Sequence, residues 1–170
     1  NTLLVDGTLT ATVTTTATGG RGGAITFAVS AGSGSATVDS STGLITGVSI
    51  GTVTLIATTL GDSAYSGASD SQLITIEKTT PTLSITSAAV LLSDGFLSIT
   101  VVSTATYGRG GAFTFAVSAG SGSATIDPNT GFLTMKAPGT VVVTVTSLGD
   151  TNYYAATTSQ AIIAIPIVIL

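Results

Sequence analysis

Residues able to carry out chemistry are few in this 170-residue chain, and they are mostly carboxylates and hydroxyls. Histidine and cysteine are absent, and Glu77 is the single glutamate among eight acidic residues. A serine triad, a histidine general base and a thiolate nucleophile are therefore excluded. Each aspartate sits in a turn signature, which favours turn capping over a catalytic aspartate pair. We expect no enzymatic activity.

Oxygen ligands for a calcium ion remain available. The candidate ligands are Asp62, Asp70, Glu77 and Asp150. They are not spaced as D-x-D-x-D, so turn capping is the preferred interpretation of these residues as well. We expect no cofactor, with calcium at these four positions as the alternative.

Two glycine clusters, Gly19–Gly23 and Gly108–Gly111, do not have the spacing of a phosphate-binding loop, and no helix is predicted after either one. We expect flexible loops there, with Arg21 and Arg109 as solvated tips or as contacts to a neighbouring copy. The aromatic residues that might form a sugar platform are too few and too spread out, and core packing is favoured for them: Tyr107, Phe132, Tyr153 and Tyr154.

Charge and hydropathy exclude two classes of partner. Four cations against eight acids give a net charge of −4, so the chain has no basic stripe for nucleic acid. The longest apolar run, Ala161–Leu170, is about half the length of a membrane-spanning helix and contains Pro166. We predict that this run is a strand and that the chain has no membrane span.

An internal repeat with an offset of 88 residues organises the chain. The stretch Thr26–Thr37 recurs unchanged as Thr114–Thr125, and Gly20–Ala24 recurs as Gly108–Ala112. About half of the aligned positions are identical, which indicates a duplicated domain. The predicted domains are residues 1–79 and 80–170, joined near Pro81, because proline cannot extend a strand ladder.

Apolar and hydroxyl residues alternate with period two through both copies, as expected for strands with one buried face. Turn-forming residues interrupt the alternation about every 8 to 12 residues, the spacing of a β-sandwich. No stretch has a helical period. About seven strands are predicted per copy, and in the second copy they cover residues 83–92, 96–104, 112–118, 123–127, 132–136, 140–148 and 157–165.

Two motifs resemble tandem repeats of bacterial immunoglobulin-like (Big) domains. The first runs from Ala36 to Val48 and continues at Gly51–Ala57, with its second copy at Ser123–Thr134 and Gly139–Val141. The other, Leu148–Ala156, is similar to a segment of tandem Ig-like repeats in large secreted bacterial proteins. The resemblance implies two tandem Ig-like β-sandwich domains.

The same resemblance implies an extracellular location on a bacterial cell surface. The function to expect is structural or adhesive, as a building unit of a stalk, sheath or filament. Its partners would be copies of itself or neighbouring Ig-like modules. The alternative is an adhesin module that binds a host protein or glycan through the loops at 19–24 and 107–112.

Six residues are predicted to have structural roles. Asp39 and Asp127 can hydrogen-bond the backbone that follows them, and the next glycine in each motif, Gly43 or Gly131, can adopt the positive φ of a tight turn. Tyr65 and Tyr153 should pack over one end of each sandwich, with their hydroxyls bonded to the backbone.

The ends of the chain suggest an assembly mechanism. By the repeat, Asn1–Leu4 correspond to Ala89–Leu92, so the first copy lacks most of the opening strand that the second copy has. A candidate inter-subunit strand extends past the end of the repeat and consists of Ile167, Val168, Ile169 and Leu170. We hypothesise that this segment supplies the missing strand of another chain. The alternative is that the boundaries cut a longer array arbitrarily.

Overall fold

The structure, a computed structural model, describes residues 1–19, 21–106 and 108–168. The regular elements in these ranges are all β-strands, which confirms the prediction of an all-β protein. In the same ranges no helix is long and apolar enough to cross a membrane. Contacts between residues divide the chain into two compact units, Asn1–Thr79 and Thr80–Leu170, here called unit 1 and unit 2.

Unit 1 is a sandwich of two sheets. Its strands are β1 (Thr2–Leu4), β2 (Thr8–Thr10), β3 (Ile25–Ala31), β4 (Ser35–Val38), β5 (Leu44–Ser49), β6 (Gly51–Gly61) and β7 (Ser66–Glu77). One sheet has the order β1-β7-β6-β3 and the other has the order β2-β5-β4. β1 runs parallel to β7, and the other neighbours are antiparallel.

Unit 2 repeats these sheets and adds a third. Its strands are β8 (Leu83–Ile85), β9 (Val90–Leu92), β10 (Phe96–Ser98), β11 (Val101–Ser103), β12 (Phe113–Ala119), β13 (Ser123–Ile126), β14 (Phe132–Ala137), β15 (Gly139–Ser147) and β16 (Ala156–Ile165). The sheets are β12-β15-β16-β9, β10-β14-β13 and the pair β11-β8. Seven strands of unit 2 thus match those of unit 1, whereas β8 and β11 have no counterpart among the strands described there.

The strands follow from the alternation in the sequence. In β15, the side chains of Val141, Val143 and Val145 are fully buried, and threonine separates the last two of them. Branched residues suit a pleated surface, and threonine keeps that preference on a wet face. The core of unit 1 has the same origin and consists of Leu3, Val5, Ile45, Val53, Leu55, Ile74 and Ile76.

Two strands that the sequence predicts as continuous are each divided. Residues 83–92 form β8 and β9, and residues 96–104 form β10 and β11. β8 pairs with β11, but β9 lies parallel to β16 in the other sheet, and β10 pairs with β14. At the break, the hydroxyl of Ser87 accepts the N–H of Thr100 at 2.6 Å. The chain changes partner at these points, which interrupts the ladder although the alternation continues.

Candidate strand-acceptor site

Unit 1 has an open edge along residues 12–16. The equivalent part of unit 2 contains β11, which pairs with β8, whereas residues 13–15 form no strand in the described part of unit 1. By the offset of the repeat, the counterpart of β8 would precede Asn1. The five residues from 12 to 16 are all exposed, and the side chain of Val13 is 39% exposed.

Two cavities of unit 1 adjoin this edge. The larger has a volume of about 390 Å³ and is lined by Asn1, residues 9–14, Ile45, Leu55, Ala57, residues 70–72 and Ile74. The smaller has a volume of about 150 Å³ and is lined by residues 13–15, 21–23, Ile25, residues 57–59 and 68–70. Because Val13, Thr14, Ala57 and Asp70 line both, the two cavities are parts of one groove, here called the strand groove.

In unit 2 the corresponding position is occupied by β8. The side chain of Leu83 is 8% exposed, and Ile85 packs against the hydrophobic core of the unit. Next to β8, the N–H of Thr104 donates to the carbonyl of Thr82 at 3.1 Å. Full burial of one large aliphatic side chain contributes roughly 1.5–3 kcal/mol. β8 therefore stabilises unit 2 in a way that the described part of unit 1 does not share.

The two units also differ in how far the side chains of β7 and of its equivalent β16 are buried. Asp70 and Gln72 are in phase with the buried Ile74 of the same strand, yet both are exposed. Their equivalents in β16, Thr158 and Gln160, are half-buried, and β16 contacts β8. The inward face of β7 is thus uncovered over the length that β8 covers in unit 2.

Asp39 closes the turn between β4 and β5. Its carboxylate accepts the N–H of Thr42 at 2.8 Å, the N–H of Ser41 at 2.9 Å and the hydroxyl of Ser41 at 2.7 Å. These bonds, that of the Thr42 N–H first, hold the pKa of Asp39 far below its usual value. Asp39 is therefore a turn-capping carboxylate.

The second copy repeats this turn. Asp127 accepts the N–H groups of Thr130 and Asn129, both at 2.9 Å, and these two bonds, that of Thr130 first, lower its pKa. Gly43 and Gly131 each have φ of 70°. A Cβ atom on Gly131 would lie 2.8 Å from the ring of Phe115, so both the backbone conformation and the close approach require glycine.

Asp62 and Asp150, two of the calcium candidates, accept hydrogen bonds from the glycine loops. Asp62 Oδ2 accepts the N–H of Gly22 at 2.7 Å, and this bond is the main reason that the pKa of Asp62 is lowered. Asp150 accepts the N–H of Gly110 at 2.8 Å. Burial acts to raise the pKa of Asp150. The backbone N–H groups around it and the charge of Arg109 have the larger combined effect, so the pKa is lowered overall.

These bonds correct the expectation of flexible glycine loops. Gly22 and Gly110 are buried, and their carbonyls also accept the hydroxyls of Thr59 and Ser147. Each loop is therefore pinned to its own sandwich at this glycine. Gly20 and Tyr107, in the same loops, lie outside the described residues.

The remaining calcium candidates lie elsewhere. Asp70 lines the strand groove, and Glu77 stands opposite Leu4 at the end of β7. Within the described ranges, no three His, Cys, Asp or Glu residues are close enough to hold a metal ion. Calcium binding stays a prediction from sequence.

The two tyrosines close the ends of their units. Tyr153 is 1% exposed, and its hydroxyl accepts the N–H of Thr106 at 3.1 Å. The hydroxyl of Tyr65 bonds the side chain and the backbone of Thr18, the equivalent residue, and these bonds lower the pKa of Tyr65. Tyr65 is only half-buried, so its end of unit 1 is less tightly closed.

Sequence reasoning missed one aromatic pair. Phe132 stacks on Phe96 with ring centroids 5.7 Å apart, and both are exposed, Phe96 by 71%. Tyr154 is also exposed, so core packing holds for Tyr153 but not for Phe132 or Tyr154. The signal was that Phe96 and Phe132 each precede a leucine that faces the core, which puts the phenylalanines on the outer face.

The C-terminal segment continues past β16, which ends at Ile165. Ile167 and Val168 follow Pro166 and are 46% and 77% exposed. Ile169 and Leu170, also predicted to belong to an inter-subunit strand, lie outside the described residues.

Comparison with protein families supports the resemblance found in the sequence. Residues 1–64 match the family of the bacterial Ig-like domain (group 2), which confirms the predicted relationship for the first copy. No protein of curated function matches the chain in sequence.

Three solved structures to which the chain is similar are remote in sequence. The chain is similar to an EC1-3 fragment of Drosophila N-cadherin, with 13% identity, a TM-score of 0.38, and coverage of 85% of this chain and 56% of that one. It is similar to the fibronectin(III)-like modules of Clostridium thermocellum CbhA, with 20% identity, a TM-score of 0.35, and coverage of 97% of this chain and 89% of that one. It is also similar to a C-terminal intimin fragment, solved in complex with the intimin-binding domain of the translocated intimin receptor. Here the identity is 19%, the TM-score is 0.35, and the coverage is 94% of this chain and 56% of that one. The chain thus spans about half the length of the cadherin and intimin fragments.

Proposed function

We propose that this chain, whose first copy is a bacterial Ig-like domain, is a building unit of a bacterial surface stalk, sheath or filament. In this role it is extracellular, it carries out no catalysis, and its copies join head to tail by strand addition. The family match, the internal repeat and the hydroxyl-rich composition, with only 7% charged residues, support a repetitive structural role.

The observation that carries the proposal is the difference between the two units. Both have the same seven paired strands, but the position of β8 is filled in unit 2, and none of the strands described in unit 1 occupies it. An unpaired strand edge is a template for a strand from another chain. A contact between two different surfaces of identical chains leads to open filaments unless the rotation closes a ring.

The proposed donor is the segment 166–170 of a second copy. Its described part is apolar and exposed and lies outside the strands of its own unit. Both the acceptor edge and the donor are thus present in one chain. This arrangement allows each copy to bind the next.

Electron microscopy and light scattering of the purified chain test this assembly. We expect concentration-dependent filaments from the full chain and monomers from a variant that lacks residues 166–170. A matched variant with Val102→Thr, a change on an exposed position of β11, should still assemble. Filaments that persist after the deletion, or a full chain that stays monomeric at all concentrations, would refute head-to-tail assembly.

A second candidate function is binding of a glycan. The exposed Phe96–Phe132 pair favours it, because an exposed aromatic face can bind the apolar face of a sugar. A glycan array with the full chain and with Phe96→Ser tests it. Specific binding that the substitution abolishes would support this role, and an array without signal would exclude the glycans tested.

A further inference from the structure

We propose that two copies of this chain associate side by side through one apolar face of unit 2. The face is the outer surface of the sheet β12-β15-β16-β9. This lateral contact uses neither the strand groove of unit 1 nor the segment 166–170. It therefore goes beyond the proposed function and does not depend on head-to-tail assembly.

Four aliphatic side chains form a patch at one edge of this face. β9 runs parallel to β16, with Val90 opposite Ile163 and Leu92 opposite Ile165. All four are between 46% and 53% exposed. Neighbouring strands lie about 4.8 Å apart, so the two pairs form one continuous surface, here called the apolar patch. Side chains of a strand stand roughly perpendicular to the sheet, so the patch lies on the face of unit 2 and not at the end of its strands.

Unit 1 interrupts this patch at the equivalent places. There Thr2 stands opposite Thr75, and Leu4 stands opposite Glu77. Two hydroxyls and one carboxylate thus replace three of the four aliphatic side chains. The apolar patch is therefore a feature of unit 2 and not a general property of the repeat. Contiguous exposed apolar surface of this kind marks an interaction site.

The rest of the face is uncharged, which restricts the partner. None of the residues in β9, β12, β15 and β16 is acidic or basic. Thr140 lies beside Ile163, and Val142 lies beside Ala161 on the next strand. Copies with a net charge of −4 repel one another, so a face without charges is where they can meet at the lowest electrostatic cost.

A second copy fits this surface because the surface matches itself. In a contact with two-fold symmetry the same patch lies on both sides, so aliphatic side chains of one copy pack against those of the other. Sheets pack face to face about 10 Å apart, which leaves room for these side chains between them. The contact is complete with two copies. It therefore pairs chains and does not extend a filament.

The area of the face predicts that one such contact is weak. With about 4.8 Å between strands and about 3.4 Å per residue, the four strands present roughly 500 Å² per copy. Two faces together reach about 1,000 Å², the lower limit for a specific interface. We expect a Kd of roughly 100 µM, so single contacts stay open at low micromolar concentration. In a filament, repeated contacts would act together and hold neighbouring filaments side by side.

Chemical cross-linking of the full chain tests the two-fold contact. The chain contains no cysteine, so a single introduced thiol can be linked only to its equivalent in another copy. Ala161→Cys places the thiol beside the apolar patch, and Ser98→Cys places it on the outer face of the other sheet as the control. A short bismaleimide spans the distance of about 10 Å between packed sheets. At about 50 µM we expect covalent dimers mainly from Ala161→Cys.

Matched substitutions in the Ala161→Cys chain then locate the contact. Val90→Thr combined with Ile163→Thr gives one opposed pair the residues of unit 1 and should lower the initial yield of dimers at least about three-fold. Val102→Thr is the same change at a valine of β11 outside the face, exposed by 54% against 53% for Val90, and should leave the yield unchanged. Equal yields from the double variant and this control, or no excess over Ser98→Cys, would overturn the proposal.

Two further outcomes separate this contact from other uses of the patch. A head-to-tail contact joins different surfaces and does not bring equal residues together, so dimers linked through Ala161→Cys in a chain without filaments support the lateral contact and count only against the proposed assembly. Flotation with phosphatidylcholine vesicles tests a lipid surface as the occupant. Vesicle binding that the double variant abolishes, without excess cross-linking of Ala161→Cys, would overturn the second copy as the partner.

Discussion

Asp39 accepts three hydrogen bonds within its own turn, and the charged carboxylate is the form that accepts them. Asp62, Asp127 and Asp150 likewise accept backbone N–H groups, and the pKa of each is lowered. In a chain with few ions, the carboxylates thus serve mainly to hold turns and loops. Their protonation should loosen the chain in acid.

Replacement of Asp39 by asparagine tests this effect. The pKa of Asp39 lies below its unfolded value of 3.8, so the charged form stabilises the fold above about pH 4, and this stabilisation is lost as the pH falls further. We expect Asp39→Asn to lower the urea midpoint at neutral pH and to flatten the decline in acid. Urea unfolding between about pH 2 and about pH 7 measures both.

Asp127→Asn provides the matched change in unit 2 and should have the same direction of effect, because its turn has two of the same bonds. A pH profile of Asp39→Asn that coincides with that of the unaltered chain would contradict the assignment.

The short strand β8 is the element in which the two units differ most. Its counterpart is missing from the described part of unit 1, where residues 13–15 remain without a ladder although their sequence resembles that of β11. Residues 13–15 and β11 thus share a sequence pattern, but only β11 has a paired neighbour among the described strands.

Weakening β8 should make unit 2 resemble unit 1. Leu83→Ala removes a nearly buried side chain and should lower the free energy of unfolding of unit 2 by about 2–4 kcal/mol. Chemical denaturation followed by circular dichroism measures this loss. Val102→Thr, at an exposed position of β11, should change stability by less than about 0.5 kcal/mol. Equal effects of the two changes would show that β8 contributes little.

The sequence predicted the elements better than their partners. Alternation located nearly every strand of unit 2, because burial of one face is a local pattern. It did not locate the breaks near Ser87 and Thr100, since the alternation continues while the pairing changes to another sheet. The hydrogen bonds that the N–H groups of Gly22 and Gly110 donate to Asp62 and Asp150 were missed for a similar reason, because 40 residues separate the partners.

Across the whole chain, the two units should differ in how often they open. Unit 1 has Ala57 where unit 2 has the fully buried Val145, and it has the open strand groove. Less apolar burial lowers the free energy of local opening.

Hydrogen–deuterium exchange of the full chain measures this difference. Amides of residues 68–73 should exchange faster than those of residues 156–161, their equivalents in β16. Equal protection of the two segments in the free chain would contradict an open unit 1.

The unchanged stretch Thr26–Thr37 and Thr114–Thr125 has a consequence for renaturation. It contains most of β3 and β12, which pair with β6 and β15 in the same register. Apart from Ile25 and Phe113 at their first positions, β3 and β12 therefore have the same sequence. Their sequences do not determine which of the two sandwiches each strand joins. During refolding, either strand can enter the wrong copy, and such exchanged intermediates must come apart before the chain reaches its final pairing.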